Sequence, residues 1–242
     1  YSTPPPELRN AIVRRMRERY GWRIEPGWIV FIPGVVPGLH LAARQLVPAD
    51  GHILIPRPVY HHFRKAMEAA PRAFSEAPLV LERGRWVFDV DALKRSITGK
   101  TKAFFLCNPQ NPTGNCWSPE DLMRIGDICL EHRVVVLADE IHCDFVTKGQ
   151  KYTPFASLPN KAVVNNSITF KAASKSFGLA AHKYAWYFST NPDFMKRIGA
   201  QLRSDITTLG VVASRGAYEG GEDWLTQVVE YIDGTHDMVE KY

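Results

Sequence analysis

Lys175 ends the run Ser167-Ile-Thr-Phe-Lys-Ala-Ala-Ser-Lys175, where an apolar, β-branched stretch gives way to small residues and one amine, followed by a helix-like Gly178-Leu-Ala180 start. An amine held at the end of a strand can link covalently to an aldehyde and, once freed, act as a general base. Two signals precede it in the chain. Asn108-Pro-Gln-Asn-Pro-Thr-Gly114 is a turn-rich run whose prolines and glycine can aim the Asn111 amide at a ligand, and Val134-Val-Val-Leu-Ala-Asp139 is an unbroken apolar run ending in a carboxylate. Open α/β sheets place their ligand residues at such strand ends. The bland alternative for Asp139 is an N-cap before Ile141. Amide, acid and amine, in that order, supply a hydrogen-bond donor, a charge partner and a covalent hook.

The elements that must position them alternate in type. Apolar strand candidates cover 28–32, 52–55, 103–106, 134–138, 167–170 and 184–189, with helical patterns over 37–46 and 122–132, the latter announced by Ser118 and Pro119. This rhythm predicts an α/β fold, and the lack of polar alternation in 134–138 predicts a mostly parallel central sheet covered by helices on both faces. Gly34, Val35 and Val36 fall between the first strand and the helix starting near Pro37, so their N–H groups are placed for an anion at a helix N-terminus. Tyr60 lies in the loop Pro56-Arg-Pro-Val-Tyr60, as a surface anchor or as a plane for a ligand ring.

With 242 residues and 45% hydrophobic content the chain can bury a substantial core, and no internal repeat or long linker divides it. No apolar run reaches a membrane span, so no membrane partner is expected. The four cysteines form no CxxC pair, and with His132 and His142 they match no zinc spacing. No metal is expected, and reduced thiols favour a cytoplasmic protein. The net charge is +5, and Arg14, Arg15, Arg17, Arg19 and Arg23 share a segment with Leu8, Ile12, Val13, Met16 and Tyr20. This reads as an amphipathic helix with arginines on its wet face, and not as a nucleic-acid motif.

The ordered set Asn111, Asp139, Lys175 resembles the pyridoxal 5'-phosphate (PLP) site of fold-type I aminotransferases and their lyase relatives. The resemblance implies that Lys175 holds the cofactor aldehyde, Asp139 faces the pyridine nitrogen, and Asn111 bonds the ring O3′ oxygen, shared with His142. It further implies phosphate contacts from Gly34, Val35, Val36, Ser174 and Lys183, where arginine is commoner, and ring stacking by Tyr60. Within that superfamily Gly21-Trp-Arg-Ile-Glu-Pro-Gly-Trp-Ile-Val30, Pro33-Gly-Val-Val-Pro-Gly-Leu39, Pro58-Val-Tyr60, Leu106-Cys-Asn-Pro109 and Asp139-Glu-Ile-His-Cys-Asp144 are similar to the MalY/PatB group of cystathionine β-lyase-like C–S lyases. Ala172-Ala-Ser-Lys-Ser-Phe-Gly178 stands closer to aminotransferases. The activity so implied is β-elimination from L-cystathionine or another S-substituted L-cysteine, with transamination as the alternative and a non-catalytic PLP-fold domain as a remote one. Residues 1–242 are then the PLP-binding large domain, truncated at both ends, with most of the small domain and the substrate-carboxylate arginine beyond residue 242. A homodimer is implied too, with Tyr1 near the neighbouring subunit's phosphate.

Overall fold

Burial alternates residue by residue along the central strands, but between two apolar cores rather than between core and water. Phe104, Leu106, Val136 and Ala138 enter one core, and Ala103, Phe105 and Leu137 enter the other. All seven are at most 1% exposed, which is why the sequence there shows no polar period.

The computed structural model of the chain describes residues 4–199 and 206–242. The first half runs α1 (Pro6–Tyr20), β1 (Val30–Ile32), α2 (Val35–Leu46), β2 (His52–Arg57), α3 (His62–Ala69), β3 (Ala73–Glu82), β4 (Arg85–Phe88) and α4 (Val90–Ser96). Then come β5 (Thr101–Cys107), α5 (Pro119–Glu131), β6 (Val135–Asp139), α6 (Lys161–Asn165), β7 (Ser167–Lys171) and β8 (Ala185–Phe188). The described chain ends in α7 (Pro192–Gly199), α8 (Thr208–Gly220) and α9 (Glu222–Val239). The strands form one sheet in the order β1-β8-β7-β6-β5-β2-β3-β4. Strands β3, β2, β5, β6 and β7 pair in parallel, whereas β8 runs against both β7 and β1 and β4 runs against β3.

Helices cover both faces. Leu8, Ile12 and Met16 of α1 join Leu122 and Ile125 of α5 over one, while Leu39, Ala42 and Ala43 of α2 join Phe63 and Met67 of α3 over the other. The α5 start is a full capping box, with Ser118 Oγ accepting from Asp121 N–H and the Asp121 carboxylate accepting from Ser118 N–H, each at 3.1 Å.

Three expectations need correction. The segment after Lys175 is not a helix but a run of turns ending in a short 3-10 turn at Ala180–His182. The β3–β4 hairpin falls outside the predicted strands; it turns at Arg83 and Gly84 with φ of 50° and 78°, the left-handed pair that tight hairpins use, but without the usual Asn-Gly. Arg15 is not on the wet face of α1. It is 6% exposed, because helical spacing from Leu8 and Ile12 carries it inward onto Asp144, 2.9 Å away.

Candidate active site

Parallel strands deliver the loops that follow them to one rim of the sheet, and the predicted site residues all come from that rim. Tyr60 follows β2, Asn111 follows β5, Asp139 ends β6 with His142 just beyond, and Ser174 and Lys175 follow β7. Strand β1 runs the same way as β7, since both oppose β8, so Gly34, Val35 and Val36 reach the rim as well. Because β8 enters from that rim, Lys183 stands there before its first residue. All ten residues line a single cavity of about 330 Å³, within the small-molecule range.

Cys107, Ile141 and Tyr184 also line the cavity and were not among the predicted site residues. Register was the missing signal for Cys107, which lies directly beside Asp139 in the β5–β6 pairing. Tyr1 lies outside the described residues.

Helix α2 opens without a side-chain cap at Gly34, and Pro37 has no N–H, so the Val35 and Val36 amides are the free donors of its first turn. Gly38 brings this turn close to the sheet. A Cβ there would lie 2.4 Å from Ile32 Cδ1 and 3.0 Å from Phe170 Cε1.

Asp139 is 3% exposed, and its Oδ1 accepts from Ile141 N–H at 3.1 Å. No helix starts at Ile141, so Asp139 is not an N-cap; this oxygen holds the turn that follows, and Asp139 lines the cavity. Burial pushes its carboxyl up to about 7; the Ile141 hydrogen bond opposes this, neighbouring Glu140 adds to it, and Lys175 and Lys171 pull it back. A carboxyl in that condition takes a cationic partner favourably. Burial and then Lys175 lower the His142 imidazole, keeping it neutral beside the amine. Burial and then Asp139 raise the Tyr60 phenol.

Lys171, four residues before Lys175, is the second amine of this segment and is buried. Its side chain is 2% exposed, its Nζ donates to Tyr152 Oη at 2.8 Å, lies 3.5 Å from Glu140 Oε2, and faces the rings of Tyr20, Trp22 and Tyr152. Burial lowers its pKa, but Cys143 and Glu140 outweigh burial and hold it above the usual value. Lys171 is thus a sealed ammonium, whereas the Lys175 side chain is exposed on the cavity wall. Among the described residues no group hydrogen-bonds the Lys175 amine.

A family model described as aminotransferase class I and II matches residues 1–239. The chain belongs to this family. The chain is 34% identical to cystathionine beta-lyase PatB of Bacillus subtilis (strain 168), aligned over all of this chain and 64% of that protein. Cystalysin from Treponema denticola, whose crystal structure contains a pyridoxal 5'-phosphate cofactor, superposes with a TM-score of 0.95 at 30% identity, over 100% of this chain and 62% of its own. A PLP-bound putative aminotransferase from Clostridium difficile 630 superposes at 0.94 and 31% identity, again over 100% of this chain and 63% of its own. The chain therefore spans a little under two thirds of these relatives and shares their mixed, mostly parallel sheet with its helical layers.

Proposed function

We propose that the chain is the PLP-binding large domain, residues 1–242, of a carbon–sulfur β-lyase acting on L-cystathionine or another S-substituted L-cysteine. One observation carries the cofactor assignment: an accessible lysine, a buried carboxyl and an uncapped helix N-terminus converge on one cavity. The group and the residues fit. The free amides of Val35 and Val36, with Ser174 and Lys183, suit a phosphate; Asn111 and His142 suit the ring oxygen; Tyr60 suits the ring face.

When bound, PLP supplies an aldehyde for an amine and a ring that stabilises negative charge at the substrate Cα. Lys175 would hold that aldehyde, and its Nζ, when free, would take the proton from the substrate Cα. Asp139 would hold a proton on the ring nitrogen by offering it a buried anionic partner. Neutral His142 donates without adding a second cation beside Lys175. Overall, thioether and water become thiol, pyruvate and ammonia. The similarity to PatB and cystalysin, together with Asp139-Glu-Ile-His142, supports elimination; the Clostridium neighbour and Ser176-Phe-Gly178 support transamination as the second reading.

The test is an acceptor-free assay of the full-length protein across several cysteine thioethers. Thiol and pyruvate released over many turnovers support the lyase. No thiol, with the cofactor accumulating in its amine form, establishes the aminotransferase instead. Borohydride reduction is expected to fix the cofactor on Lys175, and a label on Lys171 or Lys183 would refute the assignment. Among the described residues no helix is long and apolar enough to cross a membrane. The four cysteines are free and buried, which supports a cytoplasmic setting. A homodimer is proposed from the family resemblance, with light scattering of the full-length protein as its check.

A further inference from the structure

With no hydrogen bond of its own, the Lys175 side chain owes its place to the backbone that carries it, and the two residues after it are clamped. Ser176 is fully buried and donates to Asp144 Oδ2 at 2.5 Å. Phe177 stacks on Trp224 of α9 with ring centroids 6.1 Å apart, and the Arg15 guanidinium lies 5.3 Å over its face.

Asp144 is 4% exposed, and its other oxygen gathers α1: Arg15 and Arg19 each reach Oδ1 at 2.9 Å, and the Tyr20 hydroxyl donates to it. The same two arginines pair with Glu222, the first residue of α9, Arg15 at 2.6 Å. One carboxylate thus joins the loop after β6, the turn after β7, α1 and, through the arginines, α9. None of these groups lines the cavity.

We infer that Asp144 is a positioning residue that sets the place of Lys175 through Ser176, so that the seating of α1 and α9 is felt at the amine. The inference rests on Lys175 being the reactive lysine. A carboxylate with both oxygens occupied is rigid, and a charge-assisted hydrogen bond to the residue next to a nucleophile fixes it far better than a solvated turn does. Small displacements of a reacting group cost rate more than binding.

The decisive variant in full-length holoenzyme is Ser176→Ala, which cuts the link and leaves the Asp144–arginine cluster intact. Four readings are taken: kcat, KM, the pH at which the lysine-bound cofactor absorbance titrates, and borohydride labelling. Expected is a loss of about ten- to a hundredfold in kcat, KM and cofactor affinity within about twofold, a displaced spectral titration, and label still on Lys175. Ser176→Thr keeps the donor and is expected to recover most of the rate. An alanine variant with wild-type kcat and titration, or a folded threonine variant as slow as alanine, overturns the inference alone. Label absent from Lys175 in the wild type overturns the site assignment and this inference with it.

Discussion

A buried acid whose proton is held by burial behaves oppositely to one held in an ion pair. Asp139 titrates near 7 when folded against an ordinary 3.8. The folded, cofactor-free protein therefore binds more protons than the unfolded chain between those values, and its stability falls as pH rises through that window, by an amount on the order of a few kcal/mol. Urea midpoints of cofactor-free protein are expected to decline from about pH 4 to about pH 7, and Asp139→Asn is expected to flatten the decline. A cofactor cation beside Asp139 relieves the same cost, so PLP is expected to raise the midpoint more at pH 7 than at pH 5. For turnover, the role proposed for Asp139 predicts that Asp139→Asn lowers kcat by about a hundredfold or more with binding much less affected. A flat pH profile in the wild type contradicts the burial argument, and near-normal kcat in the variant contradicts the role.

At the scale of elements, α2 is held to the sheet by the absence of one side chain. Gly38→Ala puts a methyl into Ile32 and Phe170, and because the obstructing atoms sit in a packed core the helix must lift. A loss of about 1–3 kcal/mol is expected from overpacking, together with weaker PLP affinity, because the Val35 and Val36 amides move with the helix. Equilibrium unfolding and cofactor titration of this variant check both. Much at this scale was legible beforehand. Strands β5, β6 and β7 are buried on both faces, so Ala103 to Leu106 and Val136 to Ala138 carry an unmistakable apolar run, and Ser118-Pro-Glu-Asp121 announces its helix. The β3–β4 hairpin was not legible. It lies at the sheet edge, where Ser75 and Glu76 interrupt the apolar pattern, and Arg83-Gly84 is a weak turn signal. The turn after Lys175 imitated a helix start because Gly178-Leu-Ala180 has the composition of one, while Asp144 and Trp224, which hold Ser176 and Phe177, lie far away in the chain.

Across the whole molecule the same distance problem hides Arg15, whose charge makes it look like surface although its spacing from Leu8 and Ile12 turns it inward, because its partner is 129 residues away. Burial alone would raise the Asp144 carboxyl, but Arg15, then Ser176, Tyr20 and Arg19, hold it below the usual carboxylate range. Its contribution is present above the ordinary carboxylate pKa and is lost as pH falls through the folded value, the reverse of Asp139. Arg15→Met is therefore expected to unfold at a higher pH on acidification than the wild type, as followed by circular dichroism, and an unchanged acid midpoint would count against the ion pair as the link between α1 and the loops. The rim holding the cavity also defines its opposite. Turn residues such as Gly99, just before β5, have open space around them and lie at the far end of the parallel strands. An epitope spliced in at Gly99 is expected to leave the cavity residues in place, whereas the same graft between Gln110 and Gly114 would displace Asn111 from the cavity wall. Seen this way the sheet is an insulator, holding an insertion at one end of its parallel strands away from the cavity at the other.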